Sequence, residues 1–211
     1  MKTLIGIPCF ETVYTDFMKS MLDVEKPEGA CYTVVKNSLV YDARNIIALN
    51  AIGCGFDRVA WFDSDMKIPT DALVRMSQDM DNGAEFVSGI YFTRTDPIRP
   101  VLCSELWWDW KDGELDTGAK TFFDYPADSL FECKAVGFGC AMVSVDLLKR
   151  VHDHFGLPFS PLHGLGEDYS FCWRVGQLGV PIWCDSRVKC GHIGAVAYDE
   201  GMYRTLHPIA P

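Results

Sequence analysis

No apolar run in the 211-residue chain approaches the length of a bilayer span, so stable membrane insertion is not expected. The opening residues, Met1 to Pro8, are too short in their apolar part for a secretory leader and lack a small-residue cleavage site. They predict a first strand instead. Nine cysteines are scattered without a single CxxC pair, which argues against a disulfide framework and points to free, mostly buried thiols in a reducing cytoplasm. No cluster of Lys or Arg interrupts a net charge of −10, and so acidic a chain repels nucleic acid and anionic lipid. Internal repeats, low-complexity tracts and linkers are also missing, and the length fits one domain with a sizeable core.

What is present is a globular composition, 48% hydrophobic and 13% aromatic, with a readable alternation of periods. Leu4, Ile5 and Ile7 predict a strand over residues 3–8, and Val13, Phe17, Met21 and Leu22 a helix over 12–24. A second strand follows from Cys31 to Val35, a helix over 38–52, a buried strand from Val59 to Phe62, a helix from Thr70 to about residue 80, and a strand over 86–92. This is the opening of a doubly wound parallel sheet. Residues 93–135 break the pattern with turn signals and the aromatic cluster Trp107-Trp108-Asp109-Trp110. A strand near 140–145, helices over 146–153 and 168–178, and two short strands around 181–184 and 187–190 come next, and the tail after Gly194 reads as irregular. The fold class expected is α/β, a mostly parallel sheet with a smaller mixed portion in the second half.

Four groups of residues invite chemistry. Asp63-Ser64-Asp65 ends a hydrophobic strand abruptly, and ligands of open α/β sheets bind outside the carboxyl ends of strands. Spacing by one residue lets both carboxylates reach one site, where one can grip a hard cation and the other a hydroxyl or a metal-bound water; a solvated turn is the alternative. Glu167-Asp168 opens an amphipathic helix, as dipole-stabilising acids or as a source of a general base. His192 stands between Gly191 and Ile193 just after a strand, as a structural residue or a third metal ligand. Asp42-Ala43-Arg44-Asn45 lies within the second helix, where Arg44 and Asn45 either face solvent or reach phosphate or a base edge.

Together these residues resemble the GT-A fold glycosyltransferases, particularly the short bacterial and phage-type members of the large family-two-like group. The resemblance spans nearly the whole chain. It runs from Ile5-Gly6-Ile7-Pro8-Cys9-Phe10 through Asp42-Ala43-Arg44-Asn45 and Trp61-Phe62-Asp63-Ser64-Asp65-Met66 to Gly137-Phe138-Gly139. It ends in Gly166-Glu167-Asp168-Tyr169 and Gly191-His192-Ile193-Gly194, and the order of the parts carries more weight than any one motif.

The family implies a Rossmann-like sheet and transfer of a sugar from a nucleotide-sugar, most commonly UDP-linked, to an acceptor hydroxyl. Pro8, Phe10 and Glu11 would cradle the nucleoside, and Arg44 and Asn45 would approach base or diphosphate. Asp63 and Ser64 would meet the ribose or a metal water, and Asp63, Asp65 and His192 would form the site of Mn2+ or Mg2+. Gly137 and Gly139 would line the sugar and acceptor pocket, Asp168 would be the base of an inverting reaction and Glu167 would hold hydroxyls. A cation also resolves a conflict of charge, because an acidic chain should repel an anionic donor. Residues 1–92 would be the nucleotide-binding half of one domain, 93–194 the acceptor and catalytic half, and 195–211 a tail able to fold over the donor. The acceptor stays open between saccharide, lipid-linked glycan, protein and modified nucleobase. A retaining transferase and a non-catalytic sugar-binding or scaffolding module are the alternatives.

Overall fold

The protein is described here by a computed structural model covering residues 1–194 and 197–207. Its first half runs β1 (Thr3–Cys9), α1 (Thr15–Asp23), β2 (Cys31–Lys36), α2 (Val40–Cys54), β3 (Arg58–Phe62), β4 (Met66–Lys67), α3 (Ala72–Asp81) and β5 (Phe86–Ile90). Then come β6 (Leu102–Lys111), β7 (Glu114–Thr121), β8 (Leu130–Cys133), β9 (Ala135–Val136), β10 (Cys140–Ser144), α4 (Val145–Phe155) and α5 (Glu167–Gln177). The last elements are β11 (Ile182–Lys189), β12 (Gly191–Ile193), β13 (Ala197–Tyr198) and α6 (Glu200–Leu206).

Seven strands form the central sheet in the order β2-β1-β3-β10-β5-β11-β8. The pairs β1–β2, β1–β3 and β5–β11 are parallel, while β10 and β8 run antiparallel to their neighbours. Side chains alternate between the two faces, as the period of two requires. Leu4, Val59, Trp61, Phe86 and Val143 face α2, α4 and α5, whereas Ile5, Ile7, Ala60, Phe62 and Val87 face α1 and α3. Under α2, α4 and α5 the rings of Trp61, Phe86, Phe138, Phe159 and Phe171 interlock at centroid separations of 4.7–5.6 Å. The doubly wound sheet expected from the hydrophobic pattern is therefore present.

Three expectations change. Residues 93–135 contain a hairpin, β6–β7, whose two-residue turn Asp112-Gly113 has both φ angles positive, at 53° and 85°. Its inner face rests on the second half, where Trp108 donates to the His163 carbonyl at 3.0 Å and packs edge-on to Trp173. The two short strands expected near 181–190 are one strand, β11, with an irregularity between Asp185 and Lys189. Asp185 and Ser186, which read as a break, are wholly buried and bonded: Asp185 to Arg187, and Ser186 to the Pro126 and Ser129 carbonyls. The tail is not irregular throughout. Asp199 caps α6 by accepting from the Met202 amide at 2.8 Å, and Tyr203 stacks on Phe92 at 4.6 Å. Residues 195–196 and 208–211 lie outside the described residues. Among those described, no helix is long and apolar enough to cross a membrane.

A second consequence of β11 lies beneath α3. Asp79 and Asp185, both buried, share Arg187, which reaches them at 2.9 Å and 2.7 Å. Burial first, then the charge and hydrogen bond of Asp185, push the Asp79 carboxyl up to about 6, with Arg187 opposing. A raised carboxyl favours the protonated fold, so this contribution is full below pH about 4 and is lost as pH rises through about 6. Asp79→Asn mimics the protonated state. Its Tm relative to wild type is expected to climb steadily between pH 4 and pH 7 in parallel thermal melts; a pH-independent difference would show that the pair holds no shared proton.

Candidate functional site

The strands β1, β2 and β3 are parallel with β1 in the middle, and α1 and α2 leave on opposite faces of the sheet. The winding therefore reverses between β1 and β3, and the crevice at the carboxyl ends of strands at such a reversal is the natural ligand site of an open α/β sheet. A cleft of ≈ 340 Å³ lies there, lined by residues 8–10, 38–40 and 63–65. Pro8, Phe10, Asp63, Ser64 and Asp65 thus come together as their motifs suggested, and Phe10 presents an exposed ring at the edge. Glu11 is exposed next to Phe10 but does not line the cleft. Residues 38–40 were not singled out by sequence. The Asn37 amide bonds the Phe10 carbonyl at 3.0 Å and Asn37 takes a positive φ of 57°, which turns the start of α2 into the cleft. The N-cap of α2, Leu39, offers no side-chain bond to the first amides.

Asp65 is held at one end of this cleft. β4 pairs with β12, which sets His192 opposite Met66, and the Ile193 amide bonds the Asp65 carbonyl at 2.7 Å. His192 Nδ1 lies 2.8 Å from the Phe92 carbonyl, an acceptor only, so Nδ1 carries the proton. Its Nε2 faces Asp65 Oδ2 at 3.5 Å. Burial pushes the Asp65 carboxyl up, but the His192 hydrogen bond and charge, followed by Arg94, outweigh it and hold the group below its ordinary range. Arg94 Nη1 contacts the same Oδ2 at 3.0 Å.

Asp63 behaves differently. Its carboxylate is turned to Arg44, whose Nη2 lies 3.0 Å away, and Arg44 Nε reaches Glu167 at 3.4 Å. Burial raises the Asp63 carboxyl and Arg44 restrains the rise. Arg44 itself is buried with its guanidinium over the Phe138 ring at 5.4 Å. Arg44 lies under the site and braces two acids. Asn45 is buried too, and its Oδ1 accepts from the Phe159 amide at 2.9 Å, which fixes the loop before α5. Among the described residues no three His, Cys, Asp or Glu side chains close around one point, and the Asp63 carboxylate faces Arg44.

Gly137 and Gly139 owe their lack of a side chain to Tyr91. A Cβ at Gly137 would lie 1.9 Å from the Tyr91 hydroxyl, and one at Gly139 would lie 2.9 Å from its ring. The Gly139 amide also donates to the Tyr91 hydroxyl at 3.2 Å. The Tyr91 ring and hydroxyl thus fill the space that a side chain at either glycine would need.

Asp168, at the start of α5, accepts from the Tyr169 amide at 2.8 Å. Burial first and the neighbouring Glu167 charge second push its carboxyl up to about 6, while the Tyr169 amide and Arg44 pull the other way. A carboxylate with that affinity for protons is suited to general-base work near neutral pH.

No protein-family model matches the chain, and no curated protein is found to match it. Solved structures do. The chain is similar to A197 from STIV, at 18% identity with a TM-score of 0.65, over 92% of this chain and 86% of that one. It is similar also to GalNAc-T7 in a structure with UDP, GalNAc and Mn2+, at 11% identity with a TM-score of 0.60, over 92% of this chain but only 44% of that one. Likeness at such low identity shows the fold, and the fold is GT-A.

The Arg44 cluster generates a test of the site's foundation. Removing one partner of a buried ion pair typically costs about 3–5 kcal/mol, because the remaining charge stays buried. Arg44→Met should lose stability of that order in urea unfolding at neutral pH, and Asp63→Asn added to it should restore part of the loss. A loss under about 1 kcal/mol, typical of an exposed pair, would place the cluster in solvent.

Proposed function

We propose that the protein is a cation-dependent glycosyltransferase that moves a sugar from a UDP-linked donor to an acceptor hydroxyl. The observation that carries this reading is the Asp65–His192 arrangement at the end of a cleft located where the sheet reverses its winding. The donor set fits a hard or borderline divalent cation. One ionised carboxylate and one imidazole nitrogen face each other, and the outer ring nitrogen is fixed by a backbone carbonyl, as metal-ligating histidines usually are. Asp65 and His192 would hold Mn2+ or Mg2+, leaving room in its coordination sphere for donor oxygens. When bound, the cation would supply Lewis-acid stabilisation of the departing diphosphate. The GalNAc-T7 structure, with UDP and Mn2+, makes this combination reasonable for the fold.

The chain's own residues would divide the remaining work. Pro8 and Phe10 would hold the nucleoside base against the β1 end, and Ser64 would meet the ribose. The uncapped amides at the start of α2 open beside the same cleft. Asp168 would accept the proton of the acceptor hydroxyl as that oxygen attacks the anomeric carbon, giving inversion. Arg44 would keep Asp63 and Glu167 in place from below, and Glu167 would bond hydroxyls of sugar or acceptor. Residues 1–92 would thus serve the donor and 93–194 the acceptor. The raised Asp168 carboxyl is compatible with the base that inversion needs.

Two measurements test this. Asp65→Ala is expected to lose calorimetric binding of Mn2+ and of Mn2+-dependent UDP; undiminished binding would reject the cation site. Asp168→Asn should retain UDP binding but lose about 10²–10⁴-fold in transfer or in nucleotide-sugar hydrolysis. Because only ionised Asp168 accepts a proton, wild-type activity should fall as pH drops through about 6. An activity profile flat across that range, or a product of retained anomeric configuration by NMR, would remove Asp168 from the base role.

A further inference from the structure

The cleft presents two carboxylates and, among its lining residues, no lysine or arginine. An anionic diphosphate must therefore find positive charge from outside the lining. Arg44 reaches the lining only from its buried side, whereas Arg94 reaches it from a part-exposed position. It sits in the loop after β5, closed at its base by the Thr93 amide to the Arg99 carbonyl at 2.8 Å and the Val101 amide to the Tyr91 carbonyl at 2.9 Å. From there its Nη1 donates to the Ile193 carbonyl at 2.9 Å and contacts Asp65 Oδ2 at 3.0 Å. That is the same oxygen that faces His192 Nε2. The Arg94 side chain is 39% exposed, so solvent and ligand can reach its guanidinium, whereas Asp65 is anchored through its carbonyl to the Ile193 amide.

We propose that Arg94 is the internal counter-cation that a divalent ion displaces from Asp65, and that the released guanidinium then binds the donor diphosphate. The inference rests on the cation reading of Asp65 and His192 given above. Two cations on one carboxylate oxygen repel each other, so each weakens the hold of the other on Oδ2. Displacement leaves Arg94 tethered beside the site and without its carboxylate. The planar fork of its N–H groups matches phosphate oxygens, and the incoming diphosphate lies beside the ion it coordinates. Binding of the ion and of the nucleotide would then be ordered by one side chain: the ion alone meets a competitor, and the ion with diphosphate gains a partner.

This makes opposite-sign predictions for one substitution. Arg94→Ala should bind Mn2+ alone more tightly than wild type, by roughly two- to fivefold, the usual worth of a partly exposed ion pair. At saturating Mn2+ the same variant should bind UDP more weakly, by roughly tenfold, the usual worth of a hydrogen bond to a charged group. Arg94→Lys keeps the charge and should move both values back toward wild type. Calorimetric titration of Mn2+ alone, then of UDP with Mn2+ saturating, reads both without any acceptor. A residue that merely braces the loop would weaken both affinities together, and that result overturns the inference, as does unchanged Mn2+ affinity or unchanged UDP affinity in Arg94→Ala. If neither wild type nor Arg94→Ala binds Mn2+, the cation reading itself fails and the inference with it; Mn2+ binding that Asp65→Ala abolishes and Arg94→Ala leaves unchanged overturns the inference alone.

Discussion

The site depends on one buried guanidinium. Arg44 emerges from α2 beneath the end of β3, contacts Asp63 and Glu167, and lies over the Phe138 ring. It thereby joins the helix that follows β2, the loop that follows β3, the loop before β10 and the helix that carries Asp168. A surface crowded with carboxylates would ordinarily push itself apart. Here a single charge on the inner side lets Asp63, Glu167 and Asp168 stand close together, while burial, and after it the Glu167 charge, keeps the Asp168 carboxyl raised. The outer side is organised by a different cation, Arg94 on Asp65. Acids that look alike in the sequence are thus sorted by the arginine beneath or beside each one.

Much of the fold is legible in the sequence because the hydrophobic period reports burial directly. Leu4, Ile5 and Ile7, or Val59 through Phe62, can be placed on sheet faces by alternation alone, and the order of strands and helices follows. What fails is the reading of polar residues inside strands. Asp185 and Ser186 look like a break because their partners, Arg187, Asp79 and the Pro126 and Ser129 carbonyls, are contributed by distant or differently oriented chain. The β6–β7 hairpin is a different failure. Asp112-Gly113 is a turn signal, but Trp107 and Trp108 fall on opposite faces of β6 and blur the apolar–polar alternation that marks a strand.

The candidate site divides in the same way. Residues adjoining strand ends, such as Pro8, Phe10 and Asp65, gather at the cleft because topology alone places them there. Residues inside elements are less transparent. Arg44 and Asn45 look like ligand-binding side chains in a helix, and they turn inward because Asp63, Glu167 and the Phe159 amide need partners. Arg94 carried no motif, since a lone arginine in a loop acquires meaning only when Asp65 and the Ile193 carbonyl are brought beside it. Gly137 and Gly139 announce a close approach without announcing what approaches.

The position of β10 has an implication for how the chain comes to be folded. β3 and β5 are consecutive strands of the sheet's main direction, yet they are not hydrogen-bonded to one another, because β10 lies between them. A ribosome delivers both of those strands well before it delivers Cys140–Ser144. During that interval the nascent polypeptide carries one open edge on β3 and both edges of β5 with no native partner, and it must keep them from zipping onto each other or onto a neighbouring chain. Closure of the sheet is thereby a late event of synthesis, and the first ninety or so residues are not a piece that evolution or an engineer can lift out and expect to stand.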